Sequence, residues 1–328
     1  MVSRIKILCK LDIAEKRLPQ DGAFTMTMEG RSIDFRVSTV PAIYGEKVVI
    51  RILDKSAALL DLGKLGFEPQ TLASMRATIH DPYGLILITG PTGSGKSTTL
   101  YAALNEINSP TKNIMTVEDP VEYRLDGINQ IQVKPQIGLT FAAGLRAFMR
   151  QDPDIIMVGE TRDLETAEIC VRASLTGHLV FSTLHTNDAP GSISRLVDMG
   201  IAPFLLSATI RLIIAQRLLR KLCDHCKEAY EPQTEIRERF GIVEELLYKS
   251  KGCEQCANIG YKGRLGTYEV LIVNREIREA IAKGSTSTQI KDLAVSFGMS
   301  TLWDEGIKKV RAGLTSLEEL EGVILLDR

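Results

Sequence analysis

Aromatic side chains make up only 5% of this 328-residue chain, with a single tryptophan. Grooves that track single-stranded nucleic acid need aromatic platforms and a basic stripe. The second requirement also fails, because 40 lysines and arginines are balanced by 41 acids, for a net charge of −1. Composition therefore argues against nucleic acid as the partner. No apolar run is long enough to cross a bilayer. No signal-peptide pattern opens the chain. Internal repeats and low-complexity tracts are also missing, which sets aside solenoids and disordered tails. What remains is the profile of a soluble globular protein with room for two or three domains.

The most informative segment is Gly90-Pro-Thr-Gly-Ser-Gly-Lys96-Ser97. It follows the apolar run Leu85–Ile88, which reads as a buried strand, and precedes Ser97–Leu104, which reads as a helix. Glycines let backbone N–H groups curl around a phosphate, and the helix N-terminus adds the positive end of its dipole. Gly90, Pro91, Thr92, Gly93, Ser94, Gly95, Lys96, Ser97 and Thr98 form the expected nucleotide-binding set. In it, Lys96 reaches the β- and γ-phosphates and the Ser97 hydroxyl ligates Mg²⁺. The expected ligand is a nucleoside triphosphate.

Along the chain, residues 1–53 read as a small N-terminal α+β domain, with an amphipathic helix over Ser3–Glu15 and short strands at 22–28, 31–39 and 46–52. Residues 54–66 read as a linker. Strands and helices alternate over 67–222, as in a nucleotide-binding α/β domain. A tetracysteine segment covers 223–256, and 257–328 read as helical, with helices near 275–283, 287–297, 303–313 and 316–327. The opening helix has almost no lead-in, so the expectation is a chain that lacks N-terminal sequence.

Two strands end in acids. Asp154–Glu160 is an apolar strand closing on Glu160, a candidate for the carboxylate beside Mg²⁺. Ile114–Asp119 is stopped by Pro120 and leaves Glu118 and Asp119 at its mouth, where a carboxylate can orient or deprotonate water. Phe141–Gln151 reads as a helix with Arg146 and Arg150 on one face, followed by Asp152-Pro153 and the Glu160 strand. His178 and His185 bracket the strand 179–183, which favours a polar sensor.

Of the six cysteines, four form Cys223-Asp-His-Cys226 and Cys253-Glu-Gln-Cys256, with twenty-six residues between the pairs. Two chelating turns supply four thiolates, a closed tetrahedral shell suited to structural Zn²⁺; an iron–sulfur cluster or redox pair is the alternative. Beside a nucleotide site, this usage suggests a reducing compartment. Cys9 and Cys170 fall in apolar contexts and are expected to be buried and inert.

Taken in order, these pieces resemble the secretion ATPase superfamily, most of all the assembly ATPases of type II secretion and type IV pilus extension. The resemblance covers nearly the whole chain. It rests on Arg17-Leu-Pro-Gln-Asp-Gly22, Asp34-Phe-Arg-Val-Ser-Thr39, Gly45–Arg51, the phosphate loop, the "Asp box" Thr116–Glu122, Leu145–Asp154, the "His box" Gly177–Asn187, Ala215-Gln-Arg-Leu218 and the tetracysteine. It implies a RecA-like phosphate-loop domain and a homo-hexameric ATP-hydrolysing ring at the cytoplasmic face of the inner membrane. Such a ring works on an inner-membrane platform protein to assemble pilin or pseudopilin fibres. It further implies Glu118 as general base, Glu160 as the acid near Mg²⁺ and His185 as sensor of nucleotide state, with Arg36, Arg51, Arg146 and Arg150 converging on the phosphates. A hexameric nucleic-acid translocase is the alternative function.

Overall fold

The computed structural model describes residues 1–28, 31–54, 61–243 and 246–324. The chain divides into two compact units, Met1–Leu59 and Leu60–Arg328. The expected linker, residues 54–66, spans this division, and its residues 55–60 lie outside the described residues.

In the first unit, α1 (Val2–Leu8) precedes β1 (Gln20–Met28), β2 (Arg31–Ala42) and β3 (Gly45–Asp54), which form an antiparallel sheet in the order β1-β2-β3. The helix stops well short of the expected Glu15, since Lys10 has a positive φ of 57° that ends it. Lys6 is buried, pairs with Glu46 and donates to the Glu15 carbonyl at 2.7 Å, so the segment after the helix folds back over its one buried charge. Phe24 and Phe35 face each other across β1 and β2 with stacked rings 4.8 Å apart.

The second unit is built on β4 (Gly84–Thr89), β5 (Ile114–Glu118), β6 (Asn129–Gln132), β7 (Ile155–Val158), β8 (Leu179–Leu184), β9 (Ile210–Leu222) and β12 (Tyr261–Ile272), with a small antiparallel pair, β10 (Glu228–Tyr230) and β11 (Leu247–Lys249), set apart. The large sheet has the order β12-β9-β4-β8-β7-β5-β6; every neighbouring pair is parallel except β12 with β9. Its helices are α2 (Pro69–Ile79), α3 (Lys96–Ile107), α4 (Phe141–Phe148), α5 (Leu164–Leu175), α6 (Ala189–Asp198), α7 (Pro203–Thr209), α8 (Thr234–Phe240), α9 (Arg275–Ala282), α10 (Ser287–Ser296), α11 (Leu302–Arg311) and α12 (Leu317–Val323).

Both faces of the sheet are covered, as parallel strands require. All six residues of β4 are buried. Ile86 and Ile88 pack with Leu100, Tyr101 and Leu104 of α3, while Leu85 and Leu87 pack with Leu145, Val171 and Ile193 on the other face. This mixed α/β architecture with a parallel centre is the expected class.

The region past Cys223, read from sequence as mostly helical, needs a correction. Its four C-terminal helices form close to the expected positions, because Asn274, Thr286, Thr301 and Ser316 each accept a hydrogen bond from the first turn that follows them. Before them, however, runs the twelve-residue strand β12, which completes the central sheet. Tyr268 of β12 stacks on Phe67 at 3.7 Å and donates its hydroxyl to the Leu65 carbonyl at 2.9 Å. Leu62, in the 3₁₀ turn capped by Asp61, is fully buried nearby in the same apolar cluster.

Candidate functional site

The carboxyl ends of the parallel strands carry the site, as the topology of an open α/β sheet predicts. The loop after β4 has positive φ at Gly90 (148°), Gly93 (81°) and Gly95 (89°). A Cβ on Gly90 would lie 2.5 Å from the Gln216 carbonyl oxygen, and one on Gly95 would lie 2.7 Å from Gln216 Nε2. Only glycine fits either place. Gly95 is the cap of α3, and no side chain caps the first N–H groups of that helix. Ser94 Oγ is buried with no hydrogen-bond partner among the described residues. Uncapped N–H groups and an orphaned hydroxyl fit a phosphate well.

Lys96 Nζ donates to the Gly90 carbonyl at 2.7 Å and the Pro91 carbonyl at 3.1 Å, curling back over the loop. Burial pulls its ammonium below the usual lysine range; Glu160 opposes that shift and Arg217 adds to it. Ser97 lines a cavity of about 80 Å³ together with Tyr101, Glu118, Asp119, Glu122 and Glu160. The loop, the serine and both acidic strand ends therefore meet in one place. Thr92 lies exposed in the loop, and Thr98 lies half-buried in the first turn of α3.

Neighbouring strands β5 and β7 deliver the two glutamates into different surroundings. Glu118 is buried, and its carboxylate accepts hydrogen bonds from Tyr101 Oη, Thr116 Oγ1 at 2.6 Å and Gln130 Nε2 at 3.1 Å. Burial pushes its pKa above the usual carboxylate range; the three hydrogen bonds counter this in part, and Glu122 adds repulsion. Glu160 instead faces charge. Its Oε2 accepts from Arg162 Nε at 2.6 Å, and its Oε1 lies 2.9 Å from His185 Nε2. Beyond β8, the Thr186 N–H donates to Thr89 Oγ1 at 2.8 Å, which ties the His-box loop to the strand before the phosphate loop.

The remaining candidates are elsewhere. His178 sits at the amino end of β8, opposite the site, with Nδ1 2.9 Å from the Ala173 carbonyl; it anchors the end of α5. Arg146 pairs with Glu165 of α5, and Arg150, past the end of α4, donates to the Arg146 carbonyl at 2.9 Å. Neither arginine lines the glutamate cavity. Arg36 and Arg51 belong to the first unit, where they are direct cross-strand partners on β2 and β3 and so share one face of that sheet. Sequence reading passed over Tyr101, Thr116, Gln130 and Arg162, although the i, i+4 spacing of Ser97 and Tyr101 on α3 signalled a shared face.

The second constellation is the tetracysteine. All four sulfurs lie within 4.8 Å of one another. Cys223–Cys253 is 3.9 Å, Cys226–Cys256 3.8 Å and Cys253–Cys256 3.7 Å between Sγ atoms. A tetrahedron of thiolates with metal–sulfur bonds near ~2.3 Å has edges of about 3.8 Å, so this set fits Zn²⁺ as it stands. The backbone N–H groups of Cys253 and Gly260 both point at Cys256 Sγ from 3.2 Å. Burial alone would raise that thiol, but these donors and the neighbouring thiols outweigh it and leave its pKa at about 6. As expected, Cys9 and Cys170 are buried outside this cluster.

The family model for Type II/IV secretion system protein matches residues 1–322. The chain is 52% identical over 323 residues to Type II secretion system ATPase E of Vibrio cholerae, covering 98% of this chain and 64% of that protein. It is 51% identical over 337 residues to the Type IV pilus assembly ATPase PilB of Myxococcus xanthus, covering 100% and 59%. The chain thus spans about three-fifths of the length of these relatives. Among solved structures it resembles the pilus retraction motor PilT with bound ADP, at 33% identity and a TM-score of 0.69, over 93% of this chain and 77% of that one. The ATPase DotB of Yersinia pseudotuberculosis shares the fold at 22% identity and a TM-score of 0.72, over 98% and 81%. A phosphate loop on a buried parallel strand, two glutamates at its mouth and a match along almost the full chain lead to one assignment: the chain belongs to the Type II/IV secretion system protein family.

Proposed function

We propose that this chain is the ATP-hydrolysing motor portion of a homo-hexameric assembly ATPase. The ring would sit at the cytoplasmic face of the inner membrane and act on a platform protein there to drive pilin or pseudopilin fibre assembly. The names of the relatives, an ATPase of type II secretion and one of type IV pilus assembly, support this reading. The observation that carries it is the cavity that Ser97, the last residue of the phosphate loop, shares with Glu118 and Glu160.

In this reading the loop N–H groups and Lys96 hold the β- and γ-phosphates, and Lys96 exchanges its bonds to the Gly90 and Pro91 carbonyls for phosphate oxygens. Mg²⁺, held through Ser97 beside Glu160, would neutralise charge on those oxygens. Glu118 accepts a proton as a water oxygen bonds to the γ-phosphorus, and the bond from that phosphorus to the bridging oxygen breaks to release ADP and phosphate. His185, bonded to Glu160, conveys the occupancy of the site to the Thr186–Asp188 loop and α6. The family resemblance alone assigns Arg36, Arg51, Arg146 and Arg150 to stabilising phosphate charge, and Arg146 would have to leave Glu165 to do so. The tetracysteine binds Zn²⁺ as a closed structural site with no position left for chemistry.

Steady-state ATP hydrolysis, with molar mass followed by light scattering with and without ATP, tests the proposal. Mg²⁺-dependent hydrolysis by ATP-dependent hexamers is the expected result. Hydrolysis that rises only when DNA is added would favour the translocase, and binding without turnover would reject the motor.

A further inference from the structure

The helix that starts at the phosphate loop also holds the carboxylate proposed as the base. Tyr101 lies one turn after Ser97 on α3 and is 1% exposed. One helical turn rises about 5.4 Å, so Ser97 and Tyr101 sit one above the other on the same face. Tyr101 Oη donates to Glu118 Oε2 and accepts the Glu122 N–H at 3.1 Å. A single hydroxyl therefore joins the end of β5 to the turn that follows it.

The acceptor capacity of the carboxylate sharpens the point. A carboxylate has about four acceptor positions, two on each oxygen. Thr116 Oγ1 and Gln130 Nε2 occupy both on Oε1. Tyr101 takes one of the two on Oε2. Among the described residues one position is left, on Oε2, and the carboxylate borders the cavity that Ser97 and Glu160 also line.

We infer that Tyr101 is a positioning residue: it fixes Glu118 so that Oε2 alone is offered to the attacking water, and it couples that oxygen rigidly to the phosphate-loop helix. This rests on the reading of Glu118 as general base. The titratable and charged groups around the carboxylate are Tyr101 from α3, Asp119 and Glu122 from the turn, and Glu160 from beyond β7, with Lys96 and Arg162 beside Glu160. Tyr101 is the one among them that hydrogen-bonds Glu118 directly. Its own ionisation is pushed far up, by burial first and by Glu118 next, so it stays a donor across the working pH range.

Tyr101→Phe removes the donor and keeps the ring. A hydrogen bond to the charged form lowers a carboxylate pKa, so its loss is expected to raise that of Glu118 by about one unit. The acid limb of the kcat profile then moves up by about one pH unit, so kcat falls about tenfold on that limb, while KM for MgATP stays within about twofold. Replacing Tyr101 with 3,5-difluorotyrosine makes the hydroxyl a stronger donor, and the limb is expected to move the other way. The Glu118 pKa is read directly from carbon-13 spectra of carboxyl-labelled glutamate, with the resonance assigned by its loss in Glu118→Gln. Opposite shifts in the two variants, with turnover lost in Glu118→Gln, support the inference; opposite shifts with Glu118→Gln still turning over keep the Tyr101 hold on the carboxylate but overturn its role in offering Oε2 to water. Unchanged Glu118 pKa values in both variants overturn the inference. If Tyr101→Phe fails to fold, the fluorinated protein alone decides, by the direction of its shift.

Discussion

The phosphate loop and the tetracysteine are both sites made by turns, yet they stand in opposite relations to the fold. The loop extends from β4, a strand whose every residue is buried between two apolar layers. Its neighbours hold it in place before any ligand arrives, and it can be specialised for chemistry. The four cysteines gather around β10 and β11, two strands of three residues each in a separate two-stranded sheet. That pair lies outside the central sheet and reaches the main apolar cluster through Leu247 and Tyr230, so by the proposal above a bound Zn²⁺ would add to the stability there.

The comparison predicts that changes at the two sites separate chemistry from stability. Lys96→Ala is expected to lower turnover by about 10³-fold or more and to shift the melting temperature little, checked by phosphate release beside calorimetry. A large loss of melting temperature would show that the loop helps to hold the fold together. Next in size, Glu118→Gln is expected to cut kcat by about 10²-fold while a fluorescent nucleotide still binds. Lost binding would move Glu118 out of the role of base. Cys253→Ser is expected to release zinc, read by metal analysis, and to lower the melting temperature on the order of 10 °C, with turnover per folded molecule retained. Unchanged stability would place the tetracysteine on the functional side of the comparison.

The smallest effect concerns pH. The folded pKa of Glu118 lies above its ordinary value of 4.5, with burial as the first cause. The folded state therefore binds this proton more tightly than the unfolded state, and ionising the group costs stability once pH rises above that ordinary value. Glu118→Gln removes the cost. It is expected to raise the melting temperature by about 2–4 °C at neutral pH and to lose that advantage as pH falls towards 4.5. A gain independent of pH would mean that the carboxylate is not desolvated as the geometry indicates.

The parts of the site made by neighbours in sequence were legible. The strand, glycine loop and helix around Lys96, the strand-ending acids Glu118 and Glu160 and the paired cysteines all declare themselves over a few residues. Contacts made across the sheet did not. Thr116 and Gln130 are ordinary polar residues until β6 pairs with β5 and brings both to Glu118. Arg146 reads as an arginine next to the Glu160 strand, and only the packing of α4 against α5 shows it on Glu165. β12 was missed for a similar reason. Its first half, with Lys262, Gly263, Arg264 and Gly266, has no alternation to read, and its strand character comes from pairing with β9.

That same strand determines where a pull on the second unit would be felt. The chain enters the unit through buried Leu62 and through Leu65 and Phe67, both fastened to Tyr268. Tyr268 lies mid-way along β12, which is hydrogen-bonded to β9, and β9 lies beside β4. Tension on the segment before Leu62 is thus handed to the strand ladder, two strands from the phosphate loop, and not to a peripheral helix. The first residues of the second unit are moored to its central sheet and not to its surface helices.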